Sequence, residues 1–178
     1  MNTTYRPRTD HTSPSGLPVR TCAVILDGHD MCLIRRRRPD GDQYSVPGGL
    51  VDPGEELDAA LARELREELG LDLGSGIPEP QLRWVQDQTV TRPGADQPLR
   101  RLHLIHLIDL PHRLRHTLAA AEKDATDHND IIWMHYRQAA SVHLYPAVGP
   151  ALHALHTLHD QTGPILLPAI TDQTYRWH

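Results

Sequence analysis

Three glutamates, Glu64, Glu67 and Glu68, stand at i, i+3 and i+4 within the run Arg63-Glu64-Leu65-Arg66-Glu67-Glu68-Leu69. On a helix that spacing puts all three carboxylates on one face. Like charges so placed repel in water by about 0.2–0.5 kcal/mol per pair. A hard divalent cation, Mg2+ or Mn2+, turns that repulsion into coordination by carboxylate oxygens. Mg2+ takes one or two protein carboxylates and fills its shell with water and phosphate oxygens, so an open carboxylate face suits a bridge to a diphosphate. The same run also occurs on solvated helices, where Arg63 and Glu67 form an ordinary i,i+4 ion pair. Taken alone, the cluster leaves both readings open.

The elements around it must present that face. Leu57, Leu61, Leu65 and Leu69 recur every fourth position beside Ala60, which predicts a helix over residues 55–69 with an apolar face to dock on a sheet. Gly70 ends it as a C-terminal cap. Before the helix, Tyr44 to Pro53 reads as a short strand and a glycine turn. Earlier still, Val19 to Leu26 and Met31 to Arg36 read as strands joined at Asp27-Gly28. With that turn Cys22 faces Arg35 and Cys32 faces Ile25, so the two cysteines are not cross-strand partners and are expected to be reduced. Strands are expected near 82–90, 99–110 and 131–135, and a second amphipathic helix over about 147–159. His153, His156 and His159 recur on that helix without a fourth ligand or a cysteine pattern, and read as surface histidines.

The stretch from Gly49 to Leu71 carries more than the glutamates. It reads Gly, five residues, Glu, seven residues, Arg-Glu, an aliphatic, any residue, Glu-Glu, any residue, Gly and an aliphatic. Those positions are Gly49, Glu55, Arg63-Glu64-Leu65, Glu67-Glu68 and Gly70-Leu71. This resembles the Nudix box at every fixed position, and the likeness covers about residues 18–160, with Tyr44 standing where many relatives carry Trp. The resemblance implies an α/β fold, the Nudix-type α/β/α sandwich with a mixed β-sheet. It also implies Mg2+-dependent hydrolysis of a phosphoanhydride in a nucleoside diphosphate derivative or nucleoside triphosphate. By the same resemblance Glu67 and Glu68 are the main metal ligands, Glu64 is a further ligand or the base, and the Gly48 carbonyl joins the coordination. Glu55 and Arg63 become a salt bridge holding loop to helix, with Gly49 and Gly70 structural.

Arg35 to Arg38 form a basic run ahead of the box, suited to clamping a phosphate with paired hydrogen bonds. Alternate strand residues face opposite ways, so at least half of the run is solvated. Arg35, Arg37 and Tyr44 are the candidate substrate contacts; Trp84 and Trp133 are further rings able to stack, with Trp133 better suited to the core. Glu122, Asp127 and Asp130 are the reserves for the base should Glu64 not serve.

The chain has 178 residues, enough for one domain that folds without disulfides. Residues 1–17 read as a polar flexible leader, 18–160 as the domain, and 161–178 as a tail apolar enough to pack on the domain or a partner chain. The formal net charge of −5 argues against nucleic acid as a partner. No apolar run approaches the roughly 18 residues of a membrane span, and a cytoplasmic location is expected. The partner is a small diphosphate-containing molecule; a homodimer follows from the family's habit. Two alternatives stand beside the enzyme: a non-catalytic ligand sensor on the same fold, and a hydrolase of a non-nucleotide diphosphate such as an isoprenoid.

Overall fold

The computed structural model describes residues 16–38, 41–74, 76–119, 129–155, 157 and 162–177. The β-branched and aliphatic run Val19–Asp27 forms β1, and the chain reverses at Gly28 into β2, Asp30–Arg38. Gly28 has φ +61°, the left-handed region that glycine enters without a Cβ clash. Two short strands follow, β3 at Gly41–Ser45 and β4 at Gly48–Leu50, and then helix α1, Leu57–Leu69. Strands β5 (Gln81–Val90) and β6 (Leu99–Asp109) pair as an antiparallel hairpin. A 3-10 helix at His112–Thr117 precedes β7, Asn129–His135. The chain ends with α2 (Tyr136–Ala139), β8 (Leu144–Tyr145), α3 (Gly149–Ala154) and β9 (Ile170–Thr171).

The described strands join one mixed sheet in the order β8-β3-β2-β1-β6-β5-β9, with β4 on β1 and β7 on β2. Pairs β1–β6, β3–β8 and β5–β9 are parallel. Alternate residues of β1 feed two cores, as a period of two requires. Ala23 and Ile25 pack with Leu61, Leu65 and Leu69 of α1. Cys22, Val24 and Leu26 pack with Tyr136 and Ala139 of α2 and Leu152 of α3. Helices thus cover both faces, giving the α/β/α sandwich. Each α1 leucine buried in this way contributes about 1.5–3 kcal/mol. Leu57, read as part of that apolar face, is instead 43% exposed on the first turn, and Ala60 is buried in its place. Gly70 closes α1 with φ +67°, its N–H donating to the Arg66 carbonyl.

The hairpin register has a consequence for the cysteines. β1 pairs with β2 at the turn, through Leu26–Met31 and Asp27–Asp30. Toward its start β1 pairs with β4, through Arg20–Leu50, Thr21–Gly49 and Cys22–Gly48. Cys22 therefore faces Gly48, not the expected Arg35, because the two arms part and β4 occupies the gap. Both cysteines are free and buried, and burial pushes their thiols up to about 11 and about 12. The second helix is shorter than its apolar spacing implies, ending at Ala154; His153 is exposed on it, and His156 and His159 lie outside the described residues. Among the described residues no helix is long and apolar enough to cross a membrane.

His103 on β6 is fully buried, with Nε2 2.7 Å from the Gln88 side-chain oxygen that also accepts from the Tyr145 hydroxyl at 2.8 Å. Burial, then the charges of Arg20 and Arg101, pull its imidazole from 6.5 down to about 3. Between those values the unfolded chain binds the proton and the folded chain does not, so stability falls as pH drops below 6.5. The melting temperature should fall between pH 7 and pH 5, and less steeply in His103→Gln. Parallel pH profiles for the two proteins would refute the assignment.

Candidate active site

Where β1 and β2 part, a cavity of about 700 Å³ is lined by both strands and by Gly48 and Gly49 of β4. Gly48 has φ +135°, and a Cβ there would stand 2.3 Å from the Thr21 carbonyl oxygen and 2.5 Å from Cys22 Cα. A Cβ on Gly49 would stand 2.1 Å from the Glu64 carboxyl carbon. Two side-chain-free residues are what allow α1 to bring its carboxylates against the loop.

Glu64 and Glu68 line the cavity. Glu64 is 8% exposed and accepts from Arg63 Nη1 at 2.7 Å. Glu68 is half-buried and accepts from the Gly48 backbone N–H at 2.6 Å. Burial pushes the Glu68 carboxyl up to about 7, against the opposing pull of Arg20 and the Gly48 N–H. The Gly48 carbonyl, in the next peptide group, accepts from Arg20 Nη2. Glu67 is half-exposed, with Oε2 3.5 Å from Arg63 Nη1. Among the described residues no three acidic, histidine or cysteine side chains close on a common point.

Arg63 ties the site together. Its Nε and Nη2 donate to the two oxygens of Glu55, each at 2.8 Å, while Nη2 also reaches the Leu50 carbonyl at 3.0 Å. Glu55 in turn accepts from the Asp52 N–H at 3.0 Å. The bidentate arginine pulls the Glu55 carboxyl from 4.5 down to about 2.

The other walls are cationic. Arg20, Arg36, Arg38, Arg92 and Arg101 line the cavity, against the carboxylates of Asp52, Glu64 and Glu68. Burial, then the like charge of Arg92, holds Arg101 below its usual value. Arg35, Arg37 and Tyr44, expected as substrate contacts, do not line the cavity. Arg35 and Arg37 turn to Asp130 on β7, at 2.7 and 3.3 Å. Tyr44, paired with Arg35, packs on the core beneath α2 and α3. Arg36 and Arg38, with Gln43 and Ser45, face the cavity; they continue the parity of Cys32 and Ile34, which pack under α1. A strand's side-chain period is two, so a one-residue shift exchanges the faces. Parity with those buried residues was the signal available. Asp130 is held by these arginines, and Glu122 and Asp127 lie outside the described residues. Trp84 is core, 2% exposed, and Trp133 packs at the α1 side under the Arg115 guanidinium. Arg20, Arg92, Arg101, Tyr145 and Trp177 carried no local signal, since they come together through β1, β6 and the chain end.

The family model of the NUDIX domain matches residues 16–155. The chain belongs to the Nudix family. It is similar to the CTP pyrophosphohydrolase of Escherichia coli (strain K12), 28% identical over 79% of this chain and 93% of that one. The nucleoside triphosphatase NudI of Enterobacter sp. (strain 638) is 31% identical over 64% and 78%. Among solved structures, the MutT protein of Bacillus halodurans superposes with a TM-score of 0.56 at 15% identity, covering 82% of this chain and 84% of that one, which speaks for the fold. The chain is a Nudix hydrolase, of a family that uses divalent cations such as Mg2+.

Arg63→Ala removes both bonds to Glu55 and the tie to Glu64. Discounted for partial exposure, the loss is about 2 kcal/mol, or roughly 4–8 °C in Tm. Because the Glu55 carboxyl is depressed, its contribution is complete above pH 4.5 and fades as pH falls toward about 2. The variant should lose that acid limb, and a thermal scan at pH 7 and pH 3 showing wild-type behaviour at both would reject the structural role.

Proposed function

We propose that this Nudix hydrolase cleaves a phosphoanhydride bond of a nucleoside triphosphate or nucleoside diphosphate derivative, with Mg2+ as cofactor. The observation carrying the reading is the cavity itself, with Glu64 and Glu68 on one wall and five arginines around the others. A polyphosphate is the ligand whose charge answers both: its oxygens accept from guanidinium groups and share a cation with carboxylates. An isoprenoid diphosphate would ask for a long apolar channel, whereas the apolar lining here is interrupted by five arginines and three carboxylates. The names of the two relatives favour a nucleotide.

The donor chemistry suits the ion. Glu64, Glu68 and Gly48 line the cavity and would offer hard oxygens, Gly48 through its carbonyl. Glu67 would have to turn in from beside them on α1. The absence of a Cβ on Gly49 leaves the Glu64 carboxylate at the cavity wall. Mn2+ suits the same oxygens. When bound, the ion neutralises phosphate oxygens and acidifies a water. The chain's own groups do the rest. Arg36 and Arg38 hold the phosphate chain, Arg36 being fixed by its bond to the Ser45 hydroxyl at 2.6 Å. Arg63 fixes one oxygen of Glu64. Glu64 then takes the proton of the attacking water as its oxygen bonds to one phosphorus, and the bridging P–O bond breaks to release the leaving phosphate as an anion. Arginine donors around the cavity stabilise that charge.

Products released from a panel of nucleoside triphosphates and nucleotide derivatives should form with Mg2+ and not with chelator. Glu67→Gln and Glu68→Gln should each lower kcat at least about a hundredfold, because several kcal/mol of charge stabilisation depend on the anionic ligands. Binding of nucleotide without turnover by the wild-type protein would reject the enzymatic reading; near-normal rates in the two variants at saturating Mg2+ would reject the ligand assignment.

A further inference from the structure

Trp177 stands beyond the family-matched residues and lines the cavity together with Arg92 and Tyr145. The segment that carries it is fastened at four points. The Val85 N–H donates to the Ile165 carbonyl and the Val85 carbonyl accepts from Leu167 N–H, both at 2.8 Å. Ile170 pairs with Gln88 in β9, and is 1% exposed. Asp172 accepts from the Thr91 N–H and hydroxyl at 2.7 and 2.8 Å. Gln43, itself a cavity residue, donates to the Tyr175 hydroxyl at 3.3 Å.

What the anchors fix is an aromatic cluster with the Trp177 indole at the cavity wall. The Trp177 ring centroid lies 4.7 Å from that of Tyr145 and 5.6 Å from that of Tyr175, and the Arg92 guanidinium lies 5.2 Å from the indole centroid. Indole and guanidinium planes both accept a heteroaromatic ring by stacking. The Trp177 Nε1–H and Arg101 Nε–H are buried without a hydrogen-bond partner among the described residues. The exposed Arg92 guanidinium beside the indole brings N–H donors that carbonyl or ring-nitrogen acceptors of a planar ligand can meet.

We propose that Trp177 and Arg92 form the subsite for the nucleobase, a planar ring bearing carbonyl or ring-nitrogen acceptors, and that the chain end is therefore a specificity element of the hydrolase. This rests on the reading of the cavity as a nucleotide site. Arg92, by this assignment, serves the ring rather than the phosphates. Phosphates lie toward Arg36, Arg38 and the carboxylates.

The test compares kcat/KM for the four ribonucleoside triphosphates with that for inorganic tripolyphosphate, which has the phosphates and no ring. Wild type should prefer the nucleotides. Trp177→Ala should reduce that preference at least tenfold, through KM, and Trp177→Phe by less, because it keeps an aromatic plane. Arg92 is exposed on the β5–β6 turn, so Arg92→Ala tests the subsite even should Trp177→Ala unfold; its preference should fall at least threefold. If Arg92 serves phosphate, both substrates decline together and the preference stays, which overturns the proposal, as does an unchanged preference in folded Trp177→Ala. Failure of wild type to hydrolyse any nucleotide sinks the underlying reading instead.

Discussion

The site depends on how closely the Gly48-Gly49 backbone is squeezed between β1 and α1. One peptide faces Thr21 and Cys22, and the next faces the Glu64 carboxylate, at separations no side chain could occupy. That contact sets the distance from helix to sheet at the point where the carboxylates lie. It also places a backbone N–H on Glu68 and a carbonyl on Arg20, so the same peptide region is tied to both an acidic and a basic group. Backbone groups so held cannot relax away from a neighbour, and a buried peptide must have partners. The wedge is therefore a structural constraint and a source of site geometry at once.

Electrostatics then has a direction. Arg63 neutralises the acidic groups behind the site through Glu55 and Glu64, and Asp130 absorbs Arg35 and Arg37 on the far side of β2. Arg101 is held below its usual value first by burial and then by the like charge of Arg92. Under the proposed function, a polyanion entering here would complete pairs whose protein halves are already placed, lowering the reorganisation needed in the charged transition state.

The sheet and α1 were legible because their signals are local. Leucines at every fourth place, Gly70 behind them and Asp27-Gly28 in the hairpin gave elements within a residue or two of those observed. Of the three glutamates, Glu64 and Glu68 line the cavity and Glu67 does not. Arg36 and Arg38 were missed by parity, a choice that needed to know which face α1 covers. Cys22 was assigned the wrong neighbour because hairpin register was carried past the point where β4 enters, a pairing set by residues far along the chain. The 147–159 helix ended early since apolar spacing says nothing about where tertiary contacts stop supporting a helix. Arg92, Arg101 and Trp177 form a wall through contacts separated by tens of residues, and no window of sequence contains them together.

The division of labour follows from those length scales. The carboxylates sit on a regular helix whose apolar face is locked in the core, where a displacement would cost packed leucines. The wall across from them is assembled from a turn, a strand edge and a chain end, each held by a few hydrogen bonds. Substitutions there disturb less of the core than substitutions on α1, so one wall can vary in shape while the other keeps the chemistry. The cavity is thus divided between a helix locked in the core and a wall that includes residues outside the segment matched by the family model.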